Sequence, residues 1–152
     1  MKKIQTLSGL KKIVSRLQKQ NKKVVFTNGC FDIIHPGHIK TLTLARKKGD
    51  ILIVGLNSDA SIKRIKGPDR PIFDQNARAS VLAALETVDY LTIFSEDTPY
   101  NTIKTLKPDY LVKGGDWKDN QIIGKEFVKK VFRVDLYPGY STTGAIKKIK
   151  KT

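Results

Sequence analysis

Cysteine is nearly missing from this chain: its 152 residues hold one, Cys30, so no internal disulfide can form. That suits a reducing compartment and argues against a small secreted scaffold. Long apolar runs are missing too; none approaches the roughly 20 residues that a membrane span needs. Met1-Lys2-Lys3-Ile4-Gln5 leads on to Lys11 and Lys12 with no apolar signal core, so no signal peptide and a cytoplasmic setting are expected. Acidic residues are few, 14 against 29 Lys and Arg, for a formal net charge of +15. Such a balance favours anionic partners: nucleic acid, acidic lipid or phosphorylated small molecules. Aromatics are only 8%, and the basic residues are spread along the chain instead of alternating with aromatics and glycines. That speaks against a nucleic-acid-binding module. Repeats and low-complexity linkers are absent, and the length fits one domain over residues 1–152, an N-terminal helix (1–21) preceding a core (22–150).

What is present is an alternation of short apolar runs with amphipathic stretches. Leu7, Leu10, Ile13, Val14 and Leu17 recur at helical spacing and predict a helix over 7–20. Lys23 to Thr27 reads as a buried strand closed by a turn at Asn28-Gly29. Further helices are predicted at 37–48, 59–65, 75–85, 98–106, 125–130 and 142–149, and strands at 51–56, 88–94, 110–112 and 131–136. Strands separated by helices of this length predict an α/β protein, a five-stranded parallel sheet between two helical layers. Ligands of such sheets bind beyond the carboxyl ends of the strands, where the strand order switches.

The end of the first predicted strand carries the least ordinary stretch of the chain. Its only two histidines, His35 and His38, flank Pro36-Gly37 at a predicted helix start. Three residues apart, they share a helix face. The helix end itself attracts anions through its dipole and free amides, and Gly37 lets an anion approach the backbone. Two surface histidines without function, or a poor metal pair short of ligands, are the alternatives. Near the C-terminus, Ser141, Thr142 and Thr143 open the last helix with three hydroxyls, where capping needs one. If the two helix ends meet, they can hold one polyphosphate. Lys63, Arg64, Lys66 and Arg70 crowd a loop after the second strand, Arg78 follows on the next helix, and Lys113-Gly114-Gly115-Asp116 follows the fourth strand. Solvated surface and plain turns are the alternatives there.

Together these residues resemble the cytidylyltransferase-like nucleotidyltransferase superfamily, whose signatures are a His-x-Gly-His pair after the first strand and a Ser-Thr-Thr helix start. His35-Pro36-Gly37-His38 and Ser141-Thr142-Thr143 match both. The runs Thr27-Asn28-Gly29-Cys30-Phe31-Asp32, Asn57-Ser58-Asp59, Lys66-Gly67 with Arg70-Pro71, and Lys113-Gly114-Gly115-Asp116 are most similar to bacterial D-glycero-β-D-manno-heptose 1-phosphate adenylyltransferases. That activity occurs alone or as the C-terminal half of a bifunctional kinase/adenylyltransferase. One departure stands out. The similar glycerol-3-phosphate cytidylyltransferases carry an Arg at the start of the Ser-Thr-Thr motif, and Leu136 to Tyr140 has none.

The resemblance implies a Rossmann-like three-layer fold and the reaction of ATP with a sugar 1-phosphate, giving a nucleotide sugar and pyrophosphate. It implies that His35, His38 and Lys66 act in catalysis. It implies that Cys30, Phe31, Gly37, Arg78, Lys113, Gly115, Asp116, Ser141, Thr142 and Thr143 bind the nucleotide with them, and that Asp32 and Asp59 meet the sugar phosphate. Mg²⁺ is expected to arrive with ATP, held by phosphate oxygens and water without protein side chains. A homodimer and a separate upstream heptose kinase are also implied. A glycerol phosphate or FMN nucleotidyltransferase, a non-catalytic nucleotide sensor and a basic nucleic-acid binder are the competing readings.

Overall fold

The computed structural model describes residues 2–115 and 118–152. Along the chain it contains α1 (Leu7–Lys19), β1 (Val24–Gly29), α2 (Pro36–Arg46), β2 (Ile51–Asn57), α3 (Asp59–Lys66) and α4 (Gln75–Ala84). Then follow β3 (Tyr90–Phe94), α5 (Tyr100–Leu106), β4 (Tyr110–Gly114), β5 (Lys130–Val134) and α6 (Thr142–Lys150). The five strands form one parallel sheet in the order β3-β2-β1-β4-β5, as the alternation of elements predicts.

Each strand alternates its side chains between two helical layers, so both faces of the sheet are buried and the strands read as continuous apolar runs. Val25, Leu52, Val54, Leu56 and Val112 join Leu42 and Ala45 of α2 and Ala79 and Leu82 of α4 in one core. On the other face Val24, Phe26, Ile53 and Leu111 join Leu10 and Val14 of α1 and Ile103 and Leu106 of α5. Gly55 makes the centre of the sheet possible: a Cβ there would stand 2.6 Å from the Phe26 ring. The sheet edge at β3 is covered by the N-terminal segment, where Ile4 bridges Leu91 in parallel and Gln5 N–H donates to the Leu91 carbonyl. Covering an edge in this way removes a template for intermolecular pairing.

Two local expectations fail for identifiable reasons. Residues 125–130 are no helix; a single 3₁₀ turn spans Lys125–Phe127, and the chain is drawn into β5 from Lys130. Gly124, at φ +83°, sets that turn against Ile103, and Lys129 N–H donates to the Asp109 carbonyl as the chain enters the sheet. Asn28-Gly29 is not a turn but the last step of β1, in register with Gly55 and Leu56. The reversal is made further on, by Phe31 (φ +47°) and Ile33 (φ +51°). Left-handed backbone at bulky residues costs on the order of 1–3 kcal/mol and persists only where the surroundings enforce it.

The sheet also opens where it matters. β1 and β4 pair only at Val25–Tyr110 and Phe26–Leu111. Beyond that point the buried Thr27 hydroxyl donates to the Val112 carbonyl at 2.9 Å, a side chain closing what the backbone ladder leaves open. This is the switch in strand order, and the strands part there toward their carboxyl ends. Thr27→Val keeps the shape and removes that donor, so it is expected to lower unfolding free energy by roughly 1–3 kcal/mol, read as a lower urea midpoint at unchanged slope.

Candidate active site

Above the parting of β1 and β4 lies a cavity of about 1110 Å³, lined from the β1 end (Thr27 to Asp32), α2 (His35, Gly37, His38, Thr41), the basic loop (Lys66, Arg70), the β4 end (Lys113, Gly114) and Leu136 to Thr143. The volume suits a nucleotide-sized ligand. The histidine pair and the Ser-Thr-Thr helix start therefore share one cleft, as the phosphate-clasp reading requires.

The histidines do more than flank a helix end; they build it. His35 is the N-cap of α2, with Pro36 in the first turn. Its Nδ1 accepts from Gly37 N–H at 3.1 Å, and its carbonyl accepts from the amides of His38 and Ile39. His38 Nδ1 in turn accepts from the His35 backbone N–H at 3.3 Å. A Cβ on Gly37 would stand 2.9 Å from His35 Cε1, so glycine is what lets the imidazole fold over the helix end. The expectation of free amides at this terminus is thus corrected: they are taken by His35. What faces the cavity is a pair of imidazoles, stacked with ring centroids 3.8 Å apart and backed by Phe31 at 5.3 Å from His38.

Because both Nδ1 atoms accept, the hydrogen-bond pattern assigns the proton of each neutral ring to Nε2, leaving two Nε2–H donors. Neutrality follows from the surroundings. Burial, reinforced by the neighbouring His35, pushes the His38 pKa down to about 4 against the opposing pull of Asp32. Burial lowers His35 as well.

Asp32 does not face a ligand freely. It is 1% exposed, and its carboxylate accepts from Arg70 Nε at 3.0 Å and from the amides of Ile72 at 2.8 Å and Phe73 at 3.1 Å. Its carbonyl accepts from the Thr142 hydroxyl at 2.7 Å. One residue so ties the loop after β1 to the basic loop and to α6. Arg78 is likewise internal, 2% exposed, donating to the carbonyls of Phe73, Cys30 and Asn57 and to the Asp59 carboxylate at 2.7 Å. The structure brings neither Arg78 nor Asp59 to the cavity lining; the pair clamps the loop from beneath.

The remaining expectations divide in the same way. Cys30 lines the cavity, but burial raises its thiol pKa despite the cations Lys66, Arg78 and Arg70, which leaves it protonated. Lys66 is exposed at the rim. Ser141 caps α6 by accepting from Gly144 N–H, Thr142 is bound to Asp32, and Thr143 stands at the cavity. Gly114 lines the cavity while Gly115 lies against Leu136, and Asp116 falls outside the described residues. Residues not singled out as site residues also converge there. Arg70 is fixed by Asp32. Asn28 accepts from the Lys113 ammonium. Tyr140 lies nearly parallel to His35, centroids 6.4 Å apart, and against Tyr137 at 5.4 Å. Asn28 and Tyr140 adjoin the two motifs in sequence, and no spacing signal marks their contacts with Lys113 and His35.

The chain is similar to a family and to several known proteins. The cytidylyltransferase-like family matches residues 26–148. The bifunctional protein HldE of Campylobacter concisus is 56% identical over 148 residues, covering 97% of this chain and 31% of that protein. HldE of Helicobacter pylori is 52% identical over 143 residues, 94% and 31% respectively. The chain thus spans about a third of the length of the curated relatives it matches. A crystal structure of the lipopolysaccharide core biosynthesis protein from Thermoplasma volcanium superposes with a TM-score of 0.66 at 32% identity, over 76% of this chain and 98% of that one. Pantoate-β-alanine ligase from Francisella tularensis, at 18% identity and TM-score 0.59, covers 98% of this chain and 78% of its own and shares the fold.

Two outcomes test the site. His38 binds its proton less tightly folded than unfolded, so the unfolded chain takes up more protons between about pH 6.5 and about 4. Stability from this residue is complete above that window and is lost as pH falls through it. The His38 ring resonance is expected to titrate near pH 4; a midpoint near 6.5 in the folded protein contradicts a desolvated imidazole. Asp32→Asn leaves one donor of the Arg70–Ile72–Phe73 set without an acceptor and is expected to cost roughly 2–3 kcal/mol, measured by denaturant unfolding.

Proposed function

This chain belongs to the cytidylyltransferase-like family, and from that premise we propose that it transfers an adenylyl group from ATP to D-glycero-β-D-manno-heptose 1-phosphate, releasing pyrophosphate. The observation that carries the reading is the shared cleft of His35, His38 and Ser141 to Thr143. An oxygen of the sugar phosphate attacks the α-phosphorus in line, the bond to the β-phosphate breaks, and pyrophosphate leaves. The attacking oxygen is already ionised near neutral pH, so no strong general base is required. Catalysis rests on positioning and on donors aimed at developing charge.

His35 and His38 supply those donors through Nε2–H, held in register by the N-cap hydrogen bonds. They serve as donors to the α-phosphate and bridging oxygens, not as acids that exchange protons. The amides at the start of α6, with Ser141 and Thr143, hold the leaving β- and γ-phosphates. Lys66 offsets their charge from the basic loop. Backbone at Cys30, Phe31, Gly114 and Gly115 flanks the nucleoside. Asp32 serves the sugar phosphate indirectly, by aiming Arg70; Asp59 and Arg78 act as supports.

Mg²⁺ is held by the nucleotide in this reading. The donor set here is imidazole N–H, hydroxyl and cation, which suits phosphate oxygens. The two carboxylates of the lining are engaged, Asp32 as above and Asp97 with Arg64 at 2.7 Å. The ion's chemistry is to neutralise phosphate charge, and it comes and goes with ATP. Among the described residues no helix is long and apolar enough to cross a membrane. The reading carries with it a cytoplasmic homodimer and a kinase reaction that supplies the sugar 1-phosphate. The test is pyrophosphate release measured for four nucleoside triphosphates against several sugar 1-phosphates and glycerol 3-phosphate. Turnover is expected with ATP and the heptose phosphate, and His38→Ala is expected to lower it by about 10²–10³. Preference for CTP with glycerol 3-phosphate would replace this reading.

A further inference from the structure

At the carboxyl ends of β1 and β4 a lysine reaches across to an asparagine. Lys113 is half-buried in the floor of the cavity, and its ammonium donates to Asn28 Oδ1 across the parting strands. Among the described residues no carboxylate pairs with it, whereas Arg70 is paired with Asp32, Arg78 with Asp59, Arg64 with Asp97 and Lys129 with Asp109. An amide oxygen satisfies one of the three ammonium donors and none of the charge. A desolvated ammonium without an anion is costly, and burial pushes its pKa down to about 8. Its place matters as much as its charge. It stands on the strand next to β1 and lines the same cavity as the imidazoles. A backbone or a base edge gives such a group no counter-charge; an incoming phosphate does.

We propose that Lys113 is a substrate-binding and specificity-determining residue, its ammonium gripping a phosphate oxygen beside the bond being made, with Asn28 as the residue that positions it. This deepens the adenylyl-transfer reading and rests on it for the identity of the substrates. The phosphate is that of the acceptor or the α-phosphate of ATP; both present the same oxygens. The consequence for specificity is direct: an unphosphorylated sugar leaves the ammonium unpaired and is excluded.

The test compares wild type with Lys113→Met and Lys113→Arg. Steady-state pyrophosphate release gives separate KM values, and thermal unfolding with inorganic phosphate or pyrophosphate gives binding without turnover. Lys113→Met is expected to raise one KM by about 10–100-fold, since a hydrogen bond to a charged group is worth that much. A rise for the acceptor alone identifies its phosphate as the ligand; a rise for ATP alone identifies the α-phosphate. The anion-dependent rise in Tm is expected to shrink in the same variant. With Arg at 113, the fall in kcat/KM above about pH 8 is expected to move to higher pH, a change that a purely structural lysine would not produce. Lys113→Met with both KM values and the anion-dependent Tm shift within twofold of wild type overturns the proposal. If Lys113→Met does not fold, Asn28→Asp decides: its carboxylate takes the ammonium and is expected to weaken phosphate binding at least tenfold, while wild-type binding overturns the proposal. If no acceptor is turned over, the adenylyl-transfer reading fails, and the anion-dependent Tm shift still decides the role of Lys113.

Discussion

The site depends on one buried carboxylate. Asp32 sits just beyond the end of β1, and its hydrogen bonds reach two other segments: its side chain holds Arg70 and the amides of Ile72 and Phe73, and its carbonyl holds Thr142. A buried anion is tolerable only when it is paired and hydrogen-bonded, and here one cation and two amides reach it. The geometric effect is that a loop following β2 and a helix following β5 are both referred to the end of the central strand. Since loop and helix each bring phosphate-seeking groups, the distance between those groups is fixed by Asp32 and not by the sheet. Arg78 does the same from below, joining Cys30, Asn57, Phe73 and Asp59. Two buried charges of opposite sign thus support a site neither of them needs to enter.

The second constraint is electrostatic. A chain of charge +15 could have faced a triphosphate with cations everywhere. Instead the groups nearest the α2 end are neutral imidazoles, locked as Nε2–H donors because both Nδ1 atoms accept backbone hydrogen bonds. Two imidazoliums stacked at 3.8 Å would repel strongly, so the stack itself requires that at least one ring stay neutral. Neutral donors already oriented gain strength as charge develops and need no reorganisation at that moment. Cationic side chains at Lys66, Arg70 and Lys113 stand in the lining of the same cavity.

Much of this was legible in the sequence. The alternation of β-branched runs with amphipathic segments gives the parallel sheet, and the two phosphate-seeking motifs were found at the helix starts they occupy. The failures share a cause. Asn28-Gly29 is a turn by local chemistry, yet pairing with Gly55 and Leu56 keeps it in β1. Residues 125–130 have helical composition, yet Gly124 and the pull of the sheet leave a single turn. Arg78 and Asp59 have phosphate-binding and sugar-binding chemistry, yet they find each other first. In each case a long-range partner overrode a local preference, and a single chain without its contacts does not display its long-range partners.

The absent arginine before Ser141 is explained by the same economy of position. Within Leu136 to Tyr140, the region that lacks that cation, the Tyr140 ring is nearly parallel to His35 and packs against Tyr137, which in turn lies under the Lys40 ammonium at 5.4 Å. An aromatic residue there walls the cavity and holds the imidazole stack from its open side, and contributes no charge. Cationic charge in the lining is found at Arg70, held by Asp32, and at Lys113, held by Asn28. Both cations are held by hydrogen bonds within the protein, so part of their ordering is accomplished before a substrate arrives. Preorganisation of that kind reduces the entropy lost on binding. It also ties recognition of a phosphorylated ligand to the integrity of β1, since Asp32 and Asn28 stand four residues apart at the end of that one strand.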